Sequence, residues 1–283
     1  MRLLLVVLAV VGCRKDAGGK IALRYHPPAG AVYHYVLEQM SRVAMPSAGT
    51  PGAIARQEMS LRMYSTHTVK GPAAGGGTEV EIRIDSATME MPGMPSALGD
   101  QVAGLRGSYS TTVFDDRFQL IGTDLRGMRT APPEVVNQML AVLKGMAYAF
   151  PDQPVGRGDS WELSIELPIE QFGGVDASKA GSARTTLTVR EIRVTAADTA
   201  VVFDIKTTFP TGPIEITVAG QRAMMTLSGE MTGYQEFSIS RGTVVDGSIK
   251  GQSNLDISVP TLPMRAMAVT TQTASSIRLT GAK

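Results

Sequence analysis

Apolar and polar residues alternate with a period of two along most of this chain. The clearest stretch is residues 160–169, where every odd position from 161 onward is apolar and serine or glutamate occupies the even positions up to 166. A period of two places successive side chains on opposite faces of a β-strand. This stretch therefore predicts a strand with one buried face and one solvated face.

The same alternation recurs in segments spread over both halves of the sequence. They are residues 33–43, 59–69, 79–85, 108–114, 185–194, 201–209, 214–219, 224–239, 244–259 and 266–279. Short clusters of Gly, Pro and Asp separate most of these segments and indicate turns. Because strands with one polar face suit antiparallel pairing, we predict a mainly β fold. Its curved antiparallel sheet or sheets would form a half-barrel or a sandwich.

Residues 131–150 break this pattern and predict one central amphipathic helix. Apolar residues recur there at spacings of three and four, and Leu140, Leu143 and Met146 belong to this stripe. Prolines in its first turn and directly after its last residue fit the start and the end of a helix. The three stripe residues are therefore candidate contacts for an apolar ligand beneath the helix.

The predicted helix separates two β-rich parts of the chain, residues 21–125 and 158–283. Together they make a β-rich domain over residues 21–283. Two arrangements are open at this point. The helix either covers a single curved sheet or joins two β halves.

The chain begins with a segment that predicts export from the cytoplasm. Arg2 precedes a short apolar stretch, residues 3–11. A stretch of this length matches the core of a signal peptide and is too short to span a bilayer. We therefore expect residues 1–12 to form a signal peptide that is removed.

Cys13 is the only cysteine of the chain, and it follows Gly12, a small residue of the kind found before the lipidated cysteine of bacterial lipoproteins. A single thiol can form neither an internal disulfide nor a CxxC site. We predict that Cys13 is lipidated, with palmitate among its acyl chains, and that residues 13–20 form a lipidated tether. The alternative is an ordinary secretory signal in which Cys13 has no special role.

The tether also predicts where the protein resides. Arg14, and not an aspartate, follows the cysteine, which resembles the default outer-membrane route of Gram-negative lipoproteins. The expected location is the cell envelope, with the chain anchored in the outer membrane and the β domain in the periplasm. A short tether would keep that domain close to the membrane.

The charge balance argues against one class of partner. The 283 residues include 27 Lys and Arg against 26 Asp and Glu, which gives a formal net charge of +1. Proteins that bind nucleic acids normally need a clustered basic surface. We therefore expect no nucleic-acid partner, and protein partners are left open.

Three methionines in a predicted loop, residues 89–99, are a weak candidate for a metal site. Met89, Met91 and Met94 could offer thioether ligands to Cu(I). However, methionine also fills irregular apolar gaps, and no histidine lies beside these three. We predict that they do not bind a metal.

The histidines give no metal-binding pattern either. His26, His34 and His67 lie far apart in the sequence and show no ligand spacing. His67 continues the apolar face of the predicted strand 59–69, so we expect it to have a structural role.

No pattern in the sequence indicates an enzyme. Glu162 and Glu166 share a strand face, but four residues span about 13 Å, which exceeds the separation of the carboxylate pairs of glycosidases. The chain has no nucleophile elbow, no phosphate-binding loop and no dinucleotide fingerprint. We therefore predict a protein without catalytic activity and without a cofactor.

Two segments resemble a family of uncharacterised bacterial lipoproteins. The first is IALRYHPPAGAVYHYVLEQM, residues 21–40, and the second is FPDQPVGRGDSWELSIELP, residues 150–168. The resemblance implies a secreted, β-rich lipoprotein and extends over most of the mature chain. Its motifs are turn and strand-start residues, so it supplies no active site.

Two functions remain open from the sequence. The first is a membrane-anchored protein with a structural or interaction role in the cell envelope. The second is a carrier or binding module that holds an apolar small molecule, such as a lipid, in a β cavity covered by the helix. An internal apolar cavity of a few hundred Å³ would favour the second.

Overall fold

The structure is a computed structural model that describes residues 19–46, 53–93, 96–125, 148–166, 182–210, 212–218, 221–258 and 265–283. Within these residues, twelve strands form one antiparallel sheet, and one short helix packs beside it. The elements are β1 (Val32–Pro46), β2 (Ile54–Pro72), β3 (Thr78–Glu90), α1 (Ser96–Ala103), β4 (Tyr109–Phe114), β5 (Leu120–Asp124), β6 (Ser160–Glu166), β7 (Ser182–Val194), β8 (Thr199–Thr208), β9 (Pro213–Val218), β10 (Gln221–Ser238), β11 (Thr243–Ser258) and β12 (Arg265–Ala282).

The first and the last strands of the chain lie side by side in the middle of the sheet. The strand order is β5-β4-β3-β2-β1-β12-β11-β10-β8-β7-β6, and β9 pairs with the first half of β10, beyond the end of β8. Both sequence halves, residues 21–125 and 158–283, therefore contribute strands to one sheet. The two ends of the strand order, β5 and β6, are not paired with each other in the described part of the chain.

The sheet is strongly curved, because strands that are distant in its order meet in one core. Phe114 of β4 packs in the same buried cluster as Leu187 of β7 and Phe203 of β8. These strands lie on opposite sides of the central pair β1 and β12. The inner surface of the sheet is therefore concave, and the sheet forms an open half-barrel.

Glycines let β10 and β11 approach each other closely. A Cβ atom on Gly251 would lie 2.6 Å from the Cα atom of Met231, and one on Gly233 would lie 2.7 Å from the Cα atom of Ile249. No real side chain fits at such distances, so only glycine is tolerated at these two positions.

The segment before β1 crosses one end of the half-barrel and ties its two sides together. Ile21 exchanges two backbone hydrogen bonds with Val155, at 2.8 and 2.9 Å. Further along, the Tyr25 amide donates to the Asp116 carbonyl at 2.8 Å. The rings of Tyr25, Phe118 and the neighbouring aromatic residues fill this end, which we call the closed end.

A strained turn between β4 and β5 delivers one of these rings. Phe118 has a φ of 63°, which is rare for a residue with a side chain. The Asp115 carboxylate holds the turn by accepting hydrogen bonds from the amides of Arg117 (2.9 Å) and Gln119 (2.7 Å). Burial of the Phe118 ring against Tyr25 and Phe114 offsets the cost of this conformation.

The predicted mainly β fold with a curved antiparallel sheet is confirmed. Every segment with the period of two contains a strand. The strand β5 was missed because Leu120–Asp124 is short and places Ile121, an exposed side chain, beside Leu120.

Two details of the sequence prediction are wrong. Residues 89–99 are not one loop, because Met89 and Glu90 end β3 and α1 begins at Ser96. The proline and glycine residues of this stretch are typical of a loop, which is why the helix was not predicted. Val102 of α1 packs with Ile84 and Ala87.

The predicted end of the helix 131–150 is also wrong. Residues 148–150 are not helical. Their backbone forms hydrogen bonds at the closed end. The Phe150 amide donates to the Arg117 carbonyl at 2.7 Å, and the Trp161 indole donates to the Ala149 carbonyl at 2.9 Å. In addition, Pro151 disfavours helical geometry at the residue before it.

The rest of this predicted helix, residues 131–147, lies outside the described residues. So do the predicted signal peptide, residues 1–12, and most of the tether 13–20. No helix in the described part of the chain is long and apolar enough to cross a membrane.

Candidate functional site

The strand register shows which side chains face the hollow of the half-barrel. Residues that lie directly opposite each other in an antiparallel pair share a face. On β1, Tyr35 and Leu37 are buried, and they pair with Leu279 and Ile277 of β12. These residues and every second residue along the same strands line the inner surface, which we call the concave face.

No charged side chain is found on the concave face among the described side chains. Where side chains are described, none of the inward positions on β1–β4, β6–β8 and β10–β12 is Asp, Glu, Lys or Arg. The charged residues of these strands point outward and form exposed ion pairs. These include Glu38 with Arg62, Arg42 with Glu58, and Lys206 with Glu230. The two surfaces of the sheet therefore differ completely in charge.

His67 is the one histidine on the concave face, and it is neutral at pH 7. Its ring packs on Tyr35, with the ring centres 4.5 Å apart, and its Nε2 atom lies 3.1 Å from the Ser65 hydroxyl. Burial lowers the pKa of His67 to about 4, because the imidazolium form would lose its hydration there. His67 thus lies half-buried on the apolar face of β2, as its place in the alternation predicts.

Aromatic and aliphatic side chains pack the closed end of the concave face tightly. Phe150 lies at its centre and contacts Phe237 edge to face, with ring centres 4.8 Å apart. Trp161 and Phe203 meet in the same way at 5.4 Å. Phe150, Phe203 and Phe237 are all fully buried, so this end is a packed core.

Further along the central strands, the inward side chains become small and polar. Gln39 and Ser41 of β1 pair with Ser275 and Thr273 of β12. Thr271, the next inward residue of β12, pairs with Ser253 of β11. We call these six residues the polar band; they are Gln39, Ser41, Ser253, Thr271, Thr273 and Ser275.

Beyond the polar band the concave face is apolar again. Ile214 and Ile216 of β9 pack there with Met225 of β10 and Ile257 of β11. On the other side of the central strands, the partly buried Leu61 and Met63 contact the core that includes Ile84. The hollow thus has one apolar region around β9 and β10 and another around β2 and β3. The uncharged polar band of β1, β11 and β12 lies between them.

A small pocket lies on the concave face among the described residues. One cavity of about 70 Å³ is lined on the concave side by Leu37, Ile205, Ile249 and Ile277, with Tyr148 beside them. This is well below the few hundred Å³ of a ligand pocket. This pocket by itself is therefore too small to hold an acyl chain.

Two larger hollows lie on the outer surface. Their volumes are about 520 and 450 Å³, and both contain Met40 and Ala274. Charged and polar side chains such as Glu38, Arg62 and Lys250 line them. They are grooves on the polar side of a twisted sheet, which makes them poor sites for an apolar ligand.

Tyr148 brings a buried phenol to the edge of the small cavity. Burial raises the pKa of Tyr148 to about 12, because the phenolate would be poorly solvated. The phenol is therefore uncharged at neutral pH, like every other group on the concave face.

The sequence-predicted ligand contacts and the anchor cannot be placed. Leu140, Leu143, Met146 and Cys13 all lie outside the described residues. They stay predictions.

The other candidate residues have ordinary surroundings. Met89 packs against the core near α1, while the Met91 sulfur accepts a hydrogen bond from Gln57 at 2.9 Å; Met94 is not described. Glu162 is exposed and lies 4.0 Å from Arg184. The described residues contain no group of three or more His, Cys, Asp or Glu side chains that could hold a metal ion.

Sequence reasoning missed the polar band. The available signal was the run of small hydroxyl residues at positions 271, 273 and 275, which continues the apolar face of Ile277 and Leu279. Such residues are commonly assigned to a solvated face, so only the register of β12 against β1 and β11 reveals that they point inward.

Comparisons with known proteins bear on the fold. No protein-family model and no curated protein matches the chain. Among solved structures, it is similar to one titled "Lipid-protein interactions in lipovitellin", with a TM-score of 0.50 and 12% sequence identity. The match covers 91% of this chain but only 26% of that chain, so this chain corresponds to about a quarter of its length. At this identity the similarity concerns the fold alone.

Proposed function

We propose that this protein binds an apolar small molecule of the lipid class along the concave face of its half-barrel. The observation that carries the proposal is the complete segregation of charge. Charged side chains cover the outer surface of the sheet, whereas the inward positions with described side chains hold only uncharged ones. A surface that is apolar and curved inward offers an acyl chain a large contact area away from water.

The unpaired edges of the sheet fit binding in an open trough. Because the described parts of β5 and β6 do not pair with each other, the half-barrel keeps a side through which a long molecule can enter. The similarity to the fold of lipovitellin, whose structure is titled for its lipid–protein interactions, is in line with this use of the fold.

The proposal includes a membrane anchor at Cys13. Lipid chains at this cysteine would hold the protein at an envelope membrane, as in the bacterial lipoproteins that residues 21–40 and 150–168 resemble. Acyl chains contribute about 0.8 kcal/mol per buried methylene, so two or three of them anchor a protein without a basic patch. The anchor would place the concave face near a source of lipid.

Native mass spectrometry tests the proposed binding. The full chain with Cys13→Ala is purified from a bacterial host, and bound molecules are identified after organic extraction. We expect lipid at close to one molecule per chain. A mass without adduct, together with no uptake of added lipid, would contradict the proposal and favour a structural or interaction role in the envelope.

Two adjacent serines give a matched pair of variants for this test. Ser275 faces the hollow beside Gln39, while Ser276 faces outward beside Glu38. We expect Ser275→Lys to abolish lipid retention, because an ammonium ion would have to be buried under an acyl chain. Ser276→Lys should retain lipid. The apolar residues 3–11 are present in both variants, so a difference between them reports on the concave face.

The anchor has its own test. Intact mass of the native protein should show a chain that begins at Cys13 and carries acyl chains, and Cys13→Ala should release the protein from the membrane. An unmodified mass, or a Cys13→Ala protein that stays bound to the membrane, would contradict the anchor without affecting the binding proposal.

A further inference from the structure

A ligand that consists only of hydrocarbon would not require the polar band of the concave face. The band lies between two apolar regions, and its hydroxyl and amide groups come from three neighbouring strands, β1, β12 and β11. An acyl chain gains nothing from these groups and would leave them without water. Their presence in the middle of the trough therefore needs a separate explanation.

Half of the polar band has no hydrogen-bond partner among the described residues. Gln39 donates to the Ser41 hydroxyl at 3.3 Å, and Ser41 lies 3.5 Å from the Thr273 hydroxyl. In contrast, the hydroxyl groups of Ser253, Thr271 and Ser275 make no hydrogen bond to any other described residue. These three side chains are only partly exposed, so their hydroxyls are available to a molecule that enters the trough.

The outer surface of the same strands shows the opposite arrangement. There Thr270 donates to the Asn254 side-chain carbonyl at 3.0 Å, and Gln252 donates to the same oxygen at 3.2 Å. Gln272 in turn donates to Gln252 at 3.4 Å. The outward polar groups of β11 and β12 thus bond to each other, while inward hydroxyls one residue away stay open.

The absence of charge on the concave face limits what those hydroxyls can bind. A carboxylate or phosphate buried in the trough would face no Lys or Arg among the inward positions with described side chains. Burying such an ion without a partner is very costly. An ester carbonyl or an alcohol group carries no such cost and can be satisfied by serine and threonine hydroxyls.

We infer that the trough is selective for an uncharged amphipathic lipid whose ester or alcohol groups hydrogen-bond to the polar band, as those of an acylglycerol would. The acyl chain lies on the apolar regions beside the band, and lipids with an ionised head group keep that group in solvent. This inference rests on the proposed function and adds the chemical class of the ligand.

The test compares two threonine positions on opposite faces of β12. Thr271→Val combined with Thr273→Val removes two inward hydroxyls with almost no change of shape, and Thr270→Val removes an outward one. Each is made in the full chain with Cys13→Ala. Binding is measured for monoolein, for oleate at pH 8, and for the hydrocarbon probe diphenylhexatriene.

We expect the double variant to bind monoolein about tenfold more weakly, the size of effect that two lost hydrogen bonds would give. Its affinity for oleate and for diphenylhexatriene should stay within about twofold of the parent chain, since neither uses the hydroxyls. Thr270→Val should leave all three affinities unchanged. Ser275→Ala repeats the test with a single, smaller change.

Three results would overturn the inference, and they differ from one another. Unchanged monoolein binding in the double variant and in Ser275→Ala would show that the band does not recognise the ligand. An equal loss for all three molecules would show that the band only maintains the shape of the trough. If the parent chain binds none of the three, the proposed function itself fails, and the inference fails with it.

Discussion

The closed end and the polar band lie on the same concave face, yet they are filled in opposite ways. At the closed end, β10 contributes Phe237 and β1 contributes Tyr35, both buried. Farther along, β1 presents Ser41 and β12 presents Thr273, and no large side chain from these strands fills the space between them. Under the proposed function, the closed end supplies stability and the polar band is the part that contacts the ligand.

Hydrogen bonds and ring contacts reinforce this contrast. The Tyr35 hydroxyl donates to the Val244 carbonyl at 2.8 Å, and Tyr33 donates to the Arg241 carbonyl at the same distance. These bonds join the start of β1 to the start of β11 and to the turn before it. The polar band has no comparable bonds to distant elements in the described residues, apart from weak contacts around Ser41.

The largest expected effect comes from emptying the closed end. Phe203→Ala removes a fully buried ring that contacts Trp161 and Phe150, and it should lower the free energy of unfolding by about 3–5 kcal/mol. Urea unfolding of the variant measures this loss. Thr273→Val in the polar band is the control and should change stability by less than about 1 kcal/mol. Similar losses in both variants would show that the two regions contribute equally to stability, which contradicts the comparison.

Acid should weaken the closed end through His67. Its pKa is about 4 in the folded protein, against about 6.5 in an unfolded chain, so the unfolded state takes up a proton first as the pH falls. The contribution of neutral His67 to the free energy of unfolding should therefore be fully present above pH 6.5. It should decline by about 3 kcal/mol between pH 6.5 and pH 4. Urea titrations at several pH values measure this decline.

The variant His67→Gln isolates this effect from other titrations. Glutamine can still reach the Ser65 hydroxyl but does not titrate. The difference in stability between His67→Gln and the parent chain should change with pH over the window from 6.5 to 4. A difference that is constant over this window would show that His67 is not the buried neutral group described above.

A smaller effect is expected at Gly251, where β10 and β11 approach each other closely. Gly251→Ala places a methyl group against the backbone of β10 and should cost about 1–3 kcal/mol of stability, with weaker lipid retention because the two strands move apart. Gly75→Ala is the control, since nothing lies within 4 Å of its Cβ position. Equal behaviour of the two variants would show that the close approach of β10 and β11 does not shape the concave face.

The smallest effect should come from the outer surface. Arg62→Ala breaks an exposed ion pair with Glu38, and such pairs contribute less than about 1 kcal/mol. Lipid retention and urea unfolding should both stay close to those of the parent chain. A clear loss of bound lipid in this variant would point to the outer grooves as the binding site.

The period of two was sufficient to predict the strands but not their arrangement. Residues 33–43 and 266–279 were both predicted as strands, and only the structure shows that they pair in the middle of the sheet. Pairing between the two ends of a chain depends on long-range contacts, which leave no local signal. The helix α1 was missed because Gly99, which lets its backbone approach the Met89 carbonyl, looks like a loop residue in the sequence.

The candidate site was harder to predict than the fold. The sequence pointed to an apolar cavity beneath a helix and named Leu140, Leu143 and Met146, whereas the described structure points to the concave face of the central strands. Its polar band consists of residues such as Ser275 and Thr273, which continue the apolar face of Ile277 but have the small polar side chains typical of a solvated face. Their role depends on which neighbours they oppose, and that is a property of the register.

Labelling of single cysteines tests most directly whether the concave face is the binding surface. The chain has one native cysteine, so Ser275→Cys and Ser276→Cys in the Cys13→Ala background each provide a single reactive thiol. The labelling rate of each variant with a maleimide is measured in the presence and absence of monoolein. We predict that the lipid slows labelling at position 275 several-fold and leaves position 276 unchanged. Equal rates at position 275 with and without lipid, under conditions where binding is saturated, would contradict the account.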